Sequence, residues 1–438
     1  MIFRLRDYIQ YPFAIHRAHD RLSASQYWAP ERRRGWVQER LERTLRHAVR
    51  HVPWYRRTLA PFESRFPEMI DRLDLGELPV LTKEVIRNHY HELIADDHRR
   101  YRPTVTHTSG STGTPTQFML DAESNIAQFA ALWRVLNWAG YRFAQPFADM
   151  TAYVPRGGGQ FERDFRLNCL HLSTFNFKKE DVPEYVRRLR RFEPVLLKAF
   201  PSAAHIFARW LLELGIRDYR APALLTCGET LLGHQKALFQ EVLGCPLYDF
   251  YNQNERGVLI STCDRGTYHV HEEYSFAEFV PDPAGDAQWI VGTTFHNLAM
   301  PLIRYWTDDL ADLGEPVACA CGRSYRSIRQ IVGRIEDVVV TPDGRHVGRL
   351  SSAFVYASGI RLSQIVQNSV DAIEIRIVRG PTFSQNDIDS LDHEIHTRLG
   401  DRITVRYTFV DDIPRGKNGK VKFMVSNLDG SGGPGRAV

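Results

Sequence analysis

Thr106-His107-Thr108-Ser109-Gly110-Ser111-Thr112-Gly113-Thr114-Pro115-Thr116 is the sharpest local signal in the chain. Its two glycines let the backbone approach an anion closely, and the run of hydroxyls adds donors beside exposed N–H groups. Such a loop suits a polyphosphate, although read alone it is equally a flexible Ser/Thr/Gly surface turn. A P-loop of the kinase or NTPase kind needs Lys directly after its last glycine, then Ser or Thr. Here Thr114 and Pro115 follow Gly113, and no Gly-Lys-Ser/Thr run occurs anywhere. That class is not expected.

Outward from this loop, strand-like and helix-like stretches alternate. Residues 195–199 read as a strand before a helix over 203–214, and 223–227 as a strand before a helix over 234–243. Alternation of this kind predicts an α/β layered fold with largely parallel sheets. Upstream, 25–60 read as a basic amphipathic helix with Trp36, Leu41, Leu45 and Val49 on one stripe, and Thr82 is placed to cap a helix from Lys83. Composition changes near residue 333. Beyond it, short strands at 338–340, 373–378 and 404–409 surround a helix-like stretch at 385–399, enough for a small α+β domain. The expected organisation is a large N-terminal domain over 1–333, a small domain over 334–430, and a Gly-rich disordered tail over 431–438.

With 438 residues, 43% hydrophobic and 25% charged, the chain is expected to fold as a soluble protein of two or three units. The net charge of +4 suits an anionic nucleotide and is too small to argue for nucleic acid. Residues 1–17 lack the apolar run of a signal peptide, and no segment is apolar enough to span a bilayer. Six cysteines in so long a chain are not expected to form a disulfide framework, and a cytoplasmic protein with reduced thiols is the default.

Four later motifs follow the loop in order: Tyr251-Asn252-Gln253-Asn254-Glu255, Arg304-Tyr305-Trp306-Thr307-Asp308-Asp309-Leu310, Gly333-Arg334-Ile335-Glu336-Asp337 and Ile413-Pro414-Arg415-Gly416-Lys417-Asn418-Gly419-Lys420. In this order they resemble the adenylate-forming superfamily of acyl-CoA synthetases, adenylation domains and luciferases. The length and local pattern look most like its phenylacetate–CoA ligase branch. Pro342-Asp343-Gly344-Arg345-His346-Val347 and Gln364-Ile365-Val366-Gln367 look like the CapK-type proteins linked to capsular polysaccharide synthesis.

The resemblance implies ATP-dependent activation of a carboxylic acid to an acyl-adenylate with release of pyrophosphate. CoA, an amine or a hydroxyl remains open as the acceptor, and a non-catalytic nucleotide-binding scaffold is the rival class. Ser109, Gly110, Ser111, Thr112 and Gly113 would hold the β- and γ-phosphates. Tyr251 and Asn252 would lie at the adenine, with Tyr251 stacked on it, and Gly228, Glu229 and Thr230 would line that pocket. Glu255 with Thr112 would bind Mg²⁺, and Asp309 would accept from the ribose hydroxyls. Arg334 would sit near the ribose or at a hinge over 334–337, about which the small domain rotates as a lid. Lys420 would carry catalysis, with Lys417 and Lys422 as competitors. Tyr153, Phe200, Pro201 and Ser202 would line the acid pocket. Departures from the family pattern are Asn252 and Asn254 in place of the usual small residues, and Asp308 where Gly is common.

Cys263, His269, Cys319 and Cys321 form a further group. Two cysteines one residue apart, with a Cys and a His from another strand pair, suit a closed tetrahedral zinc site, and the resemblance adds that some members of the branch have similar cysteines. His271 rivals His269 for that place, and small buried thiols are the alternative.

Overall fold

The computed structural model describes residues 5–107, 116–151, 153, 155, 159–174, 177–283, 286–315, 318–334, 339–342, 346–347, 350, 353–354, 357, 359–414 and 422–428. The loop residues Ser109, Gly110, Ser111, Thr112 and Gly113, the catalytic expectation Lys420, and the tail over 431–438 lie outside them.

The expected helix over 25–60 is two helices, Pro30–His51 and Pro53–Thr58. Each starts at a proline, whose fixed φ and missing N–H suit the first turn but not a helix interior. Val37, Leu41, Leu45, Ala48 and Val49 form the buried stripe of the longer one, with Arg33 also buried, while Arg32, Arg34, Arg43, Arg46 and Arg50 are exposed. Thr82 caps the helix Lys83–Asn88, its Oγ1 accepting from the Val85 amide at 3.3 Å. Asp121 caps Ala122–Trp138 in the same way. That helix is buried on nearly every side, as its apolar composition requires.

A nine-stranded sheet is the centre of the large domain. Its spatial order is Ser327–Ile328, Tyr268–Val270, Leu259–Thr262, Leu247–Asn252, Leu224–Cys227, Leu196–Ala199, Phe147–Met150, Cys169–Leu172, Phe161–Asp164. The five strands from Leu247–Asn252 to Cys169–Leu172 are parallel, and the flanking ones antiparallel. Phe147–Met150, Cys169–Leu172 and Leu196–Ala199 are buried at every residue, as parallel strands covered on both faces must be. The chain runs from Phe147–Met150 to Cys169–Leu172 on one side, then returns to Leu196–Ala199 on the other. Ligand crevices in open α/β sheets form at the carboxyl ends of strands around such a reversal.

A second, antiparallel sheet pairs Ser275–Pro281, Gln288–Thr294, Tyr305–Asp312 and Gln330–Arg334. Where the two sheets meet, a Cβ on Gly292 would lie 2.6 Å from the Gly257 carbonyl, so only glycine permits this approach. The C-terminal domain has its own four-stranded sheet, in the order Thr404–Phe409, Ala372–Arg379, Ile360–Ser369, Met424–Ser426. Helix Gln385–Leu399 covers it through Leu391, Ile395 and Leu399 against Ile365, Ile373 and Ile375. The α/β class that the alternation predicts is present, and the smaller domain follows the compositional change as expected; the second sheet departs from the expected parallel pairing, since its strands pair antiparallel throughout.

Candidate functional site

Strand Leu247–Asn252 delivers Tyr251 to the meeting line of the two sheets, and strand Tyr305–Asp312 delivers Asp309 from the other side. The Tyr251 hydroxyl donates to Asp309 Oδ2 at 2.6 Å, across 58 residues of sequence. Gln253 Nε2 donates to the same phenol oxygen, while its Oε1 accepts from the Val258 amide at 3.0 Å. Tyr305 donates to Glu255 Oε1 at 2.7 Å. Burial, and then the facing carboxylates, push both phenols well above their usual range, so both stay protonated donors. Glu255 and Asp309 are each nearly buried, so these hydrogen bonds offset part of their desolvation.

The turn that carries Glu255 is held from outside the motif. Arg256, in the left-handed region at φ 60°, reaches Ser124 Oγ at 3.0 Å and Asn125 Oδ1 at 2.8 Å. Asn252 donates to Gln128 Oε1 at 2.7 Å, where Tyr274 also donates. Asn252 therefore lies against helix Ala122–Trp138. Asp308 has φ 63°, which explains why a glycine is common there: the backbone is left-handed, and Asp is among the few other residues that tolerate it. Its carboxylate pairs with Lys83 Nζ at 2.6 Å, at the start of the helix capped by Thr82. Asp309 and Arg334 are register partners across adjacent strands, so the Arg334 backbone runs beside Asp309.

The residues expected at the acid pocket gather at the carboxyl ends of the parallel strands. Tyr153 stacks on His171 with ring centroids 3.8 Å apart. The Phe200 amide donates to the Met150 carbonyl, and Pro201 and Ser202 open the helix Pro201–Glu213. Glu229 accepts from the Ser202 amide at 2.9 Å and the Ser202 hydroxyl at 3.0 Å. It binds the first turn of that helix and so couples the Gly228-Glu229-Thr230 strand end to helix Pro201–Glu213. Beneath them Lys198 and Asp149 form a buried pair at 3.2 Å.

At the far edge of the nine-stranded sheet, Cys263, His269, Cys319 and Cys321 offer ligand atoms that all lie within 4.8 Å of one another. Cys263 Sγ and Cys319 Sγ are 3.6 Å apart, and Cys321 Sγ and His269 Nε2 are 3.4 Å apart. Tetrahedral arms of about 2.3 Å to sulfur and about 2.05 Å to nitrogen require edges of roughly 3.8 Å and roughly 3.6 Å. The donor set fits zinc in kind and in size. Burial, and then Arg323, lower the His269 pKa to about 4, which leaves the imidazole neutral as a ligand must be. His271 is excluded from the cluster. Its Nε2 pairs with Ser261 Oγ at 2.8 Å, and its Nδ1 faces Arg134 in a buried network with Glu273 and Tyr325. None of the six cysteines forms a disulfide.

Tyr305, Gln253 and Lys83 were not singled out from sequence. The first two lie inside the quoted motifs, but nothing local marks them as the donors that hold Glu255 and Tyr251. Among the described residues, no helix is long and apolar enough to cross a membrane.

Comparison with solved structures defines the fold. The chain superposes on 2-hydroxyisobutyryl-CoA ligase in its postadenylation state with a TM-score of 0.70 at 20% identity, covering 92% of this chain and 91% of that one. The fold is that of the adenylate-forming ligases. In sequence it is 28% identical over 331 residues to phenylacetate-coenzyme A ligase of Thermus thermophilus, 71% of this chain and 72% of that protein. It is 24% identical over 365 residues to protein CapK of Staphylococcus aureus, 81% of each. Residues 339–427 match the family model of the CapK C-terminal domain. The resemblance carried by the motif order is borne out in both its branches.

Proposed function

We propose that this chain is an adenylate-forming ligase that activates a carboxylic acid with ATP and passes the acyl group to a nucleophile. The observation that carries the reading is the 2.6 Å contact of Tyr251 with Asp309, which unites two distant motifs beside Glu255. An aromatic face for a base, a carboxylate for ribose hydroxyls and a carboxylate for a cation then lie along one seam.

In the first half-reaction a carboxylate oxygen of the acid attacks the α-phosphorus of ATP as the bond to the pyrophosphate oxygen breaks. Tyr251 holds the base, Asp309 the ribose, and Ser109 to Gly113 the β- and γ-phosphates. The oxygen donors Glu255 and Thr112 suit Mg²⁺, which when bound neutralises phosphate charge. Lys420 is the cation assigned to the acid and the α-phosphate, where it would stabilise charge as it develops. Rotation of residues 334–430 about 334–337 then exposes the site to the acceptor. Tyr153, Phe200, Pro201 and Ser202 bound the acid. Similarity to phenylacetate-coenzyme A ligases supports CoA as acceptor. The CapK match covers the part of the chain that carries Lys420, and an amine or hydroxyl acceptor is the second reading.

Cys263, His269, Cys319 and Cys321 hold a structural Zn²⁺, since four protein ligands leave no open position. Pyrophosphate release with ATP and a panel of aryl, alkyl and amino acids tests the activity. Acid-dependent release is expected. Silence across the panel overturns the reading in favour of a nucleotide-binding scaffold.

A further inference from the structure

A second group of metal-binding side chains lies away from both clusters, where helix Pro30–His51 ends. His47 and His51 are four residues apart on one face of its last turn, and Asp97 comes from the segment after Leu93. Their ligand atoms lie within 4.8 Å of one another. The two imidazoles are 4.8 Å apart centroid to centroid.

Two details bear on what this group binds. First, His47 Nε2 meets the Leu298 carbonyl at 2.9 Å. A carbonyl only accepts, so Nε2 carries hydrogen, and in the neutral ring the lone pair is on Nδ1. Metal-binding imidazoles are commonly fixed this way by an outer carbonyl. Second, Asp97 uses one oxygen: Oδ2 accepts from Arg100 Nη1 and the Tyr101 hydroxyl, both at 3.2 Å. Its Oδ1 is buried without a hydrogen-bond partner. A buried carboxylate oxygen in that state is unfavourable unless a cation or donor meets it.

We infer that His47, His51 and Asp97 form a binding site for one divalent transition-metal ion, with a further position open to water. Two imidazoles and a carboxylate suit Zn²⁺ and its first-row neighbours, and they disfavour Mg²⁺ or Ca²⁺, which take all-oxygen sets. Chelation draws the donors from their present spread to the roughly 3.3 Å edges of a tetrahedron with arms of about 2.05 Å. His47, His51 and Asp97 are only half-buried and can move that far by side-chain torsion. The ion ties the helix to the segment that runs through His98–Tyr101 into strand Thr104–His107, and hence into the hydroxyl-rich loop. Ala95 and His47 are already joined to the Leu298–Ala299 backbone, so the ion locks an existing junction.

The full-length protein, stripped with a chelator, is first loaded with one equivalent of Zn²⁺, which the thiolate cluster takes preferentially. Co²⁺ is then titrated in. The expected result is uptake of one equivalent, with ligand-field bands and no thiolate charge-transfer band. That uptake is lost in His51→Gln and in Asp97→Asn, whose stripped forms melt where the stripped wild type does. Absence of a second equivalent in the wild type overturns the assignment. So does undiminished Co²⁺ uptake by both variants, or a thiolate band accompanying the second equivalent.

Discussion

The Tyr251–Asp309 seam and the Cys/His cluster both border the nine-stranded sheet, but their polar atoms are satisfied in opposite ways. Along the seam each carboxylate has a phenol aimed at it, Tyr251 on Asp309 and Tyr305 on Glu255, and Gln253 completes the set. Those groups are held in place by the protein itself. At the sheet edge the four donors meet one another through long sulfur contacts, and His269 Nδ1 is buried without a partner. A site whose groups already pair with one another is preorganised for reactants and keeps its fold when one contact is removed. A convergence of thiols and imidazole gains its main stabilisation from an ion, so its loss is a loss of stability.

The contrast is tested most strongly at the cysteines. Cys319→Ser with Cys321→Ser, or chelation of the wild type, is expected to cost about 3 kcal/mol. At roughly 2–4 °C per kcal/mol, the melting temperature falls by roughly 6–12 °C. Unchanged melting in both experiments breaks the contrast. A smaller effect is expected along the seam. Tyr251→Phe keeps the ring but leaves Asp309 without its phenol donor. Hydrogen bonds to charged groups are worth about 1.5–3 kcal/mol, so steady-state kinetics should give a KM for ATP higher by about tenfold or more. An unchanged KM removes this hydrogen bond from nucleotide binding.

The smallest effect is expected where the two domains touch. His205 Nε2 meets the Arg361 carbonyl at 3.2 Å, and burial, then His234 and Arg209, lower its pKa to about 3. Its ordinary value is 6.5. A detached His205 takes up a proton in that interval and a docked one does not. Docking is therefore fully stable above about 6.5 and weakens as pH falls toward about 3. Hydrogen exchange in strand Ile360–Ser369, corrected for intrinsic rates, should rise as pH falls through this window. The rise should be absent in His205→Gln.

Sequence made some of this legible for physical reasons. Thr82 and helix Gln385–Leu399 were readable because caps and a 3.6-residue stripe are local. Strand Ile360–Ser369 was not, because polar residues occupy buried positions in it. Gln367 is fully buried, with its amide exchanging hydrogen bonds with the Val340 backbone at 2.9 Å and 2.7 Å. Such a glutamine looks like a loop residue until its tertiary partner is known. At the seam, Tyr251, Glu255 and Asp309 were legible through the order of motifs. Tyr305 was not, since its role exists only once two sheets are brought together. The helix break at Pro53 carried a local signal, yet the apolar spacing on either side of it outweighed that signal.

Adenylation itself is tested most directly by exchange of labelled pyrophosphate into ATP in the presence of an accepted acid, compared between wild type and Lys420→Ala. Acid-dependent exchange is expected in the wild type, with a loss of about 10²–10³ in the variant, the size of effect seen when a group that stabilises transition-state charge is removed. Equal exchange in the two proteins contradicts the role of Lys420, and absence of exchange in the wild type contradicts acyl-adenylate formation.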